Sequence, residues 1–278
     1  MSSFALKASI NCAAFAALLV SGWVNSAQDH FADKFSHAAE VFGSYSGCAL
    51  ILNRDRHEES RFEYGATQCT KQISPCSTFK IPNALIGLQQ GVVSGRAHKK
   101  QWDGKKHSRE INNRDHTLES AIEHSVVWYF QSLANDVGVE SMQNWLQRID
   151  YGNQDISGGI DAFWLSNSLK INAYEQLELL IALKHQTLPF QPAYQQQVQD
   201  MLVRDSELAG VLHGKTGSCP GTGDAEPDHG WFVGWVDWDK NQDRNPATTW
   251  FIINIMGDEA WGWNAQSIAL EFLKELQP

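Results

Sequence analysis

The sequence is short of positive charge, has no recognisable metal-ligand spacing and no internal repeat, and after its opening segment has no apolar run of membrane-spanning length. Lys and Arg number 22 against 32 Asp and Glu, for a formal net charge of −10. Nucleic-acid binding depends on neutralising phosphates with Lys and Arg, so nucleic acid is not expected as a partner. The clusters His98-Lys99-Lys100 and Lys105-Lys106-His107 read as solvated loop surface. There is no C-x-x-C and no H-E-x-x-H, and His57-Glu58 lacks the second histidine of a zinc-binding helix. No metal is expected. No low-complexity linker divides the chain.

What is present begins with residues 1–27. They carry one charge, Lys7, then an apolar run from Ala13 to Val20, then small residues around Ser26 and Ala27. This is the layout of a signal peptide, and the run is shorter than the roughly 20 apolar residues that a membrane helix needs. The expectation is an exported, periplasmic protein, free of the membrane after cleavage, with residues 28–278 forming the functional unit. That length accommodates one large or two closely joined domains with a sizeable core. Its oligomeric state is open between monomer and homodimer.

Of five cysteines, Cys12 leaves with the leader, so Cys48, Cys69, Cys76 and Cys219 reach an oxidising compartment. An even number there points to disulfides, and four cysteines allow three pairings.

Hydrophobic periodicity orders the chain. His30 to Phe42 reads as a helix with Phe31, Phe35 and Phe42 on one face, followed by strands at Cys48–Asn53 and Arg61–Thr67 around a charged turn. Helical spacing marks Pro82–Gln90, Leu118–Leu133, Met142–Ile149, Tyr174–His185 and Tyr194–Val203. The period then changes. Val211–Ser218, Gly230–Trp238 and Thr248–Met256 are rich in aromatic and β-branched residues, which predicts three consecutive antiparallel strands, and Gln266–Leu276 closes the chain as an amphipathic helix. Strands at both ends with helices between predict an α/β fold of the α+β type. Its antiparallel sheet would be built from the N- and C-terminal segments and flanked by helices, with a helical lobe (roughly 76–204) inserted. A site is expected where the lobe meets the sheet.

Three short motifs carry chemistry. Ser77-Thr78-Phe79-Lys80 is the only S-x-x-K, and Pro82 follows as in a helix's first turn. Three residues apart on a helix, hydroxyl and amine share a face, and a serine hydroxyl needs such a neighbouring base to become a nucleophile. Lys215-Thr216-Gly217 lies on the first late strand, where a cation, a hydroxyl and a flanking glycine suit the approach of a carboxylate. Ser125-Val126-Val127 offers a second hydroxyl that can relay a proton to a leaving amine. In this order, across about 140 residues, the set resembles the penicillin-recognising serine enzymes.

Further segments narrow the resemblance. Tyr151-Gly152-Asn153, Phe163-Trp164-Leu165-Ser166, Ser168-Leu169-Lys170-Ile171 and Gly230-Trp231-Phe232-Val233-Gly234 look like their counterparts in the class D β-lactamases, the oxacillinases, and no E-x-x-L-N of the class A type is found. The resemblance implies the β-lactamase/transpeptidase-like fold and hydrolysis of a small-molecule β-lactam through an acyl-enzyme on Ser77. It implies no cofactor beyond carbon dioxide, which carbamylates Lys80 and makes it the general base. Only a neutral amine reacts with carbon dioxide, so the site must lower the amine's pKa. Phe79, Val127, Trp164 and Leu165 can supply the apolar surroundings, and the Trp164 indole N–H can hold the carbamate. Ser125 with Lys215 would protonate the ring nitrogen. Backbone N–H groups of Ser77 and Ser218 would hold the oxyanion, Val127, Thr216, Gly217 and Ser218 would line the substrate, and Tyr151 and Asn153 would support the site. A penicillin sensor that is acylated without turnover, and a D-alanyl-D-alanine peptidase, are the alternative functions.

Two features stand apart. Many class D enzymes bind the substrate carboxylate with an arginine just before the last helix; here Met256 to Ala265 contains none, and no arginine follows Arg244. Cys76 and Cys219 occupy the relative positions that form a disulfide beside the active site in certain class A carbapenem-hydrolysing enzymes. That resemblance implies a Cys76–Cys219 bond here, with Cys48 and Cys69 paired between the early strands.

Overall fold

A computed structural model describes residues 30–55, 58–165, 168–221, 227–238 and 247–277. The leader (1–27), Ser166 and part of the turn after Arg54 lie outside the described residues. Six strands form one antiparallel sheet: β1 (Ser46–Arg54), β2 (Glu59–Tyr64), β5 (Val203–Arg204), β6 (Gly210–Cys219), β7 (His229–Trp238) and β8 (Thr248–Met256). Their order is β2-β1-β8-β7-β6-β5, so the N-terminal hairpin joins the C-terminal strands through the β1–β8 pair. A two-stranded ribbon, β3 (Lys99–Lys100) and β4 (His116–Thr117), is separate.

β8 explains the pattern of its own sequence. All nine of its residues are buried, because helices cover both faces of the sheet. A strand covered on both sides need not alternate. One face packs on α1 (Ala38–Phe42) and α9 (Gly262–Lys274) through Phe42, Phe232, Phe251, Ile253 and Phe272. The other face carries Trp231, Val233, Trp235 and Ile252 against the helices inserted between β2 and β5. These are α2 (Ala66–Cys69), α3 (Lys80–Gln89), α4 (Leu118–Glu123), α5 (Val127–Val137), α6 (Val139–Arg148), α7 (Ala173–Lys184) and α8 (Pro192–Met201). No helix among the described residues is long and apolar enough to cross a membrane.

Several elements differ from the sequence expectation, each for a local reason. The first helix is interrupted at Lys34–His37, which lets Phe35 and Phe42 both meet Phe272, with ring centroids 5.6 and 6.2 Å apart. The second strand ends at Tyr64. Gly65 turns left-handed (φ 71°) and α2 brings Cys69 to Cys48, so that disulfide joins a strand to a helix rather than two strands. Helix Leu118–Leu133 is broken into α4 and α5 at Ser125, whose φ is 57°. Val203, expected to end the eighth helix, leaves it to pair with β6 as an edge strand.

Candidate active site

Ser77 sits in a one-turn 3-10 helix (Cys76–Phe79) that runs directly into α3 at Lys80. The turn is fixed from three sides. Thr78 donates its hydroxyl to Pro75 O (2.8 Å) and accepts from Gln176 Nε2 on α7 (2.8 Å). Ser74 O accepts from Trp231 Nε1 on β7 at 3.0 Å. Cys76 bonds to Cys219 at the end of β6, with the Cα atoms 5.8 Å apart. Gly217 is a packing requirement of this junction, since a Cβ there would lie 2.9 Å from Pro75 O. Cys76 itself has φ 45°. A non-glycine residue in that region costs energy and is held by its surroundings; here it immediately precedes the hydroxyl that the fold presents.

Lys80 is fully buried and donates from Nζ to Ser77 Oγ at 2.7 Å. Its Nζ also lies 5.5 Å from the centre of the Phe130 ring. Phe79 stacks on Trp164 and meets Phe163 and Tyr151 edge-on, with centroids 5.0–5.6 Å away. Burial among these rings, together with the charge of Arg109, lowers the Lys80 amine from 10.5 to about 7. Desolvation of this kind favours the neutral base. Trp164 is fully buried and its Nε1, like those of Trp235 and Trp250 elsewhere in the core, has no hydrogen-bond partner among the described residues. A buried donor left unpaired is costly and uncommon. It fits a small anionic acceptor, which a carbamate on Lys80 would be.

A second serine–lysine pair stands across from the first. Lys215, buried on β6, donates to Ser125 Oγ at 2.9 Å and to Thr216 O at 3.0 Å. Burial lowers its pKa well below the ordinary lysine value, and the nearby charges of Lys80, Arg204 and Arg109 act in the same direction. The left-handed backbone at Ser125 turns its hydroxyl out of the helical path toward β6.

β6 also exposes an edge. Gly214 donates its N–H away from β7 to Leu202 O (2.8 Å). Because backbone groups alternate sides along a strand, those of Thr216 and Ser218 point to the same free edge, so the Ser218 N–H is available to a ligand. The Ser218 hydroxyl accepts from Gly262 N at 2.9 Å and anchors the start of α9.

The cleft that results has a volume of about 620 Å³, and Ser77, Ser125, Val127, Thr216 and Ser218 all line it. Lys80, Tyr151, Asn153, Trp164, Lys215 and Gly217 are not among the residues that line it. Tyr151 is buried against Phe79, and burial raises its phenol far above the ordinary value. Asn153 is a structural clamp. It donates from Nδ2 to Ser168 O and accepts at Oδ1 from Lys170 N–H, both at 2.9 Å. The sequence reading missed Phe130 under Lys80 and also Arg109, Asn112, Trp128 and Trp263 on the cleft wall. The polar loop 107–112 has no periodicity or motif that would have singled out Arg109 and Asn112, and Trp128, Phe130 and Trp263 lie on helices (α5 and α9) where an aromatic reads as ordinary packing.

A serine held against a buried lysine, with a second serine–lysine pair reaching in from a K-T-G strand, defines the penicillin-recognising serine enzymes. Consistent with that class, the penicillin binding protein transpeptidase domain matches residues 41–249. Probable beta-lactamase YbxI of Bacillus subtilis (strain 168) is 39% identical over 225 residues, covering 81% of this chain and 79% of its own. Beta-lactamase OXA-20 of Pseudomonas aeruginosa is 32% identical over 230 residues, covering 81% and 84%. Among solved structures, class D beta-lactamase BAT-2 superposes with a TM-score of 0.77 at 37% identity, covering 86% of this chain and 94% of its own. The BPu1 beta-lactamase gives 0.76 at 39%, covering 86% and 95%. The chain belongs to the class D β-lactamase family.

Proposed function

We propose that this enzyme hydrolyses the amide bond of β-lactam antibiotics through an acyl-enzyme on Ser77, and so confers resistance to them. The observation that supports this most is the pair of hydroxyl–amine contacts, Lys80 to Ser77 at 2.7 Å and Lys215 to Ser125 at 2.9 Å, lining and underlying one cleft.

The residues divide the work by environment. Burial lowers the Lys80 amine to about 7, so a substantial share of it is neutral and open to carbon dioxide, and Lys80, once carbamylated, would draw the Ser77 proton as the hydroxyl attacks the lactam carbonyl. The N–H groups of Ser77 and Ser218 take the developing oxyanion; such donors act most strongly where water is excluded. Ser125 passes its proton to the ring nitrogen as the C–N bond breaks, and Lys215 supplies the replacement. Carbon dioxide, bound as a carbamate on Lys80 and held by the unpaired Trp164 Nε1, would supply an anionic general base for acylation and for the water that releases the product. Thr216 and Val127 line the cleft that admits substrate to Ser77, and Gly217 lets β6 pack closely against the turn that carries Ser77. Export by the 1–27 leader would place the enzyme in the periplasm, where the antibiotic arrives.

The experiment is steady-state hydrolysis of a chromogenic cephalosporin by residues 28–278, with and without bicarbonate. Sustained turnover that rises with bicarbonate and vanishes in Ser77→Ala is expected. A burst of one equivalent followed by arrest would indicate a penicillin sensor or peptidase.

A further inference from the structure

The cleft lacks the arginine expected ahead of α9, yet a guanidinium stands elsewhere on its wall. Arg109 lines the cleft with Ser77, Ser125, Thr216 and Ser218. It is exposed, and it donates from Nη1 to His124 O at 2.9 Å, the carbonyl immediately before Ser125. No carboxylate among the described residues lies within ion-pair distance of it. Glu123 lines the same cleft, and its charge is also felt by Arg204.

The loop that presents Arg109 is held by other groups. Asn113 accepts from His107 N–H at 2.7 Å and donates back to His107 O at 3.1 Å. Trp128 donates from Nε1 to Asn112 O at 2.9 Å. With one of its five N–H donors used, the guanidinium retains a planar fork suited to a carboxylate. The two lysines are poorly placed for that role: both are buried, and each is already bonded to a serine hydroxyl.

Substrate chemistry sets where an anion must fall. In a fused β-lactam, the carboxyl carbon is attached to the ring carbon next to the lactam nitrogen. If Ser125 protonates that nitrogen, the carboxylate lies within a few bonds of the Ser125 hydroxyl, and Arg109 is anchored on His124, the residue next to Ser125. We propose that Arg109 is the residue that binds the ring carboxylate of the substrate, replacing an arginine ahead of the last helix. This rests on the β-lactam-hydrolase reading above.

The test compares wild type, Arg109→Ala and Arg109→Lys on a cephalosporin free acid and on its methyl ester. For Arg109→Ala, kcat/KM on the acid should fall about 10- to 100-fold, the range that a charged hydrogen bond spans. The ester should change less than about twofold by the same reasoning, because it carries no charge to lose. Arg109→Lys should retain part of the acid activity, since it keeps the charge but not the fork. Equal losses on acid and ester would make Arg109 merely a support of the loop, and no loss on the acid would overturn the assignment. If wild type is acylated but does not turn over, the hydrolase reading fails. The same acid–ester contrast, measured as acylation rate by mass spectrometry, then still decides for or against Arg109.

Discussion

At the scale of single residues, the site depends on a lysine placed where a charged lysine is unfavourable. Each pKa unit corresponds to about 1.4 kcal/mol, so holding Lys80 at about 7 instead of 10.5 costs on the order of 4 kcal/mol of stability at neutral pH. Lys80→Met in bicarbonate-free buffer should therefore be inactive and more stable, as read by denaturant unfolding. The sign with pH follows from linkage. The folded pKa is depressed, so the unfolded chain binds more protons between about pH 7 and 10.5, and stability rises with pH across that window. The advantage of Lys80→Met should shrink from neutral pH toward 10. Activity should fall as pH drops below about 7, where Lys80 becomes protonated, and a pH–rate profile with added bicarbonate should recover part of that limb. Trp164→Phe keeps the packing but removes the unpaired donor. It should lose most of the bicarbonate stimulation, with turnover reduced by about 10²-fold, the lower end for losing general-base assistance; ¹³C-bicarbonate NMR should show a weakened carbamate signal.

At the scale of elements, two non-glycine residues with positive φ flank the chemistry, Cys76 at 45° and Ser125 at 57°. Cys76 opens the 3-10 turn that carries Ser77, and Ser125 follows the end of α4, so that in both places a hydroxyl faces the cleft. The loop behind them is equally constrained. Gly152 has φ 53°, and a Cβ there would lie 2.0 Å from Lys170 O, inside the turn that Asn153 clamps. Gly152→Ala should destabilise the protein by about 2 kcal/mol or more, measured by urea unfolding, and should loosen the segment leading from Trp164. Helix α7, by contrast, begins with a capping box between Asn172 and Glu175. Asn172→Ala should cost only about 1 kcal/mol and leave catalysis nearly unchanged.

At the scale of the whole molecule, the two disulfides differ in what they close. Cys48–Cys69 spans 21 residues and lies at one end of the sheet; Cys76–Cys219 spans 143 and ties the helical segments to β6 beside Ser77. Closing the longer loop removes more unfolded-state entropy, by about 1–2 kcal/mol on the chain-entropy estimate. Cys76→Ala/Cys219→Ala should thus lose more stability in guanidinium unfolding than Cys48→Ala/Cys69→Ala. It should also slow acylation, because the strained backbone before Ser77 loses its tether.

The sequence by itself determined the order of the elements and most of the reactive groups. Apolar period and β-branched runs mark Thr248–Met256 as a strand, because such a segment has nowhere else to bury its side chains. Ser77 and Lys80 share a face at any helical spacing, so their contact is written in three residues of separation. Only tertiary structure decided what has no local signal. The break at Ser125 is set by where β6 presents Lys215, 90 residues away. The depressed basicity of Lys80 comes from rings contributed by 79, 130 and 164, which approach one another only when the sheet and helices pack. Arg109 reaches the cleft through a polar loop without periodicity, because Trp128, His107 and Asn113 fix its path. Local spacing encodes neighbours along an element; burial, and the charge that burial permits, exist only once distant elements have met.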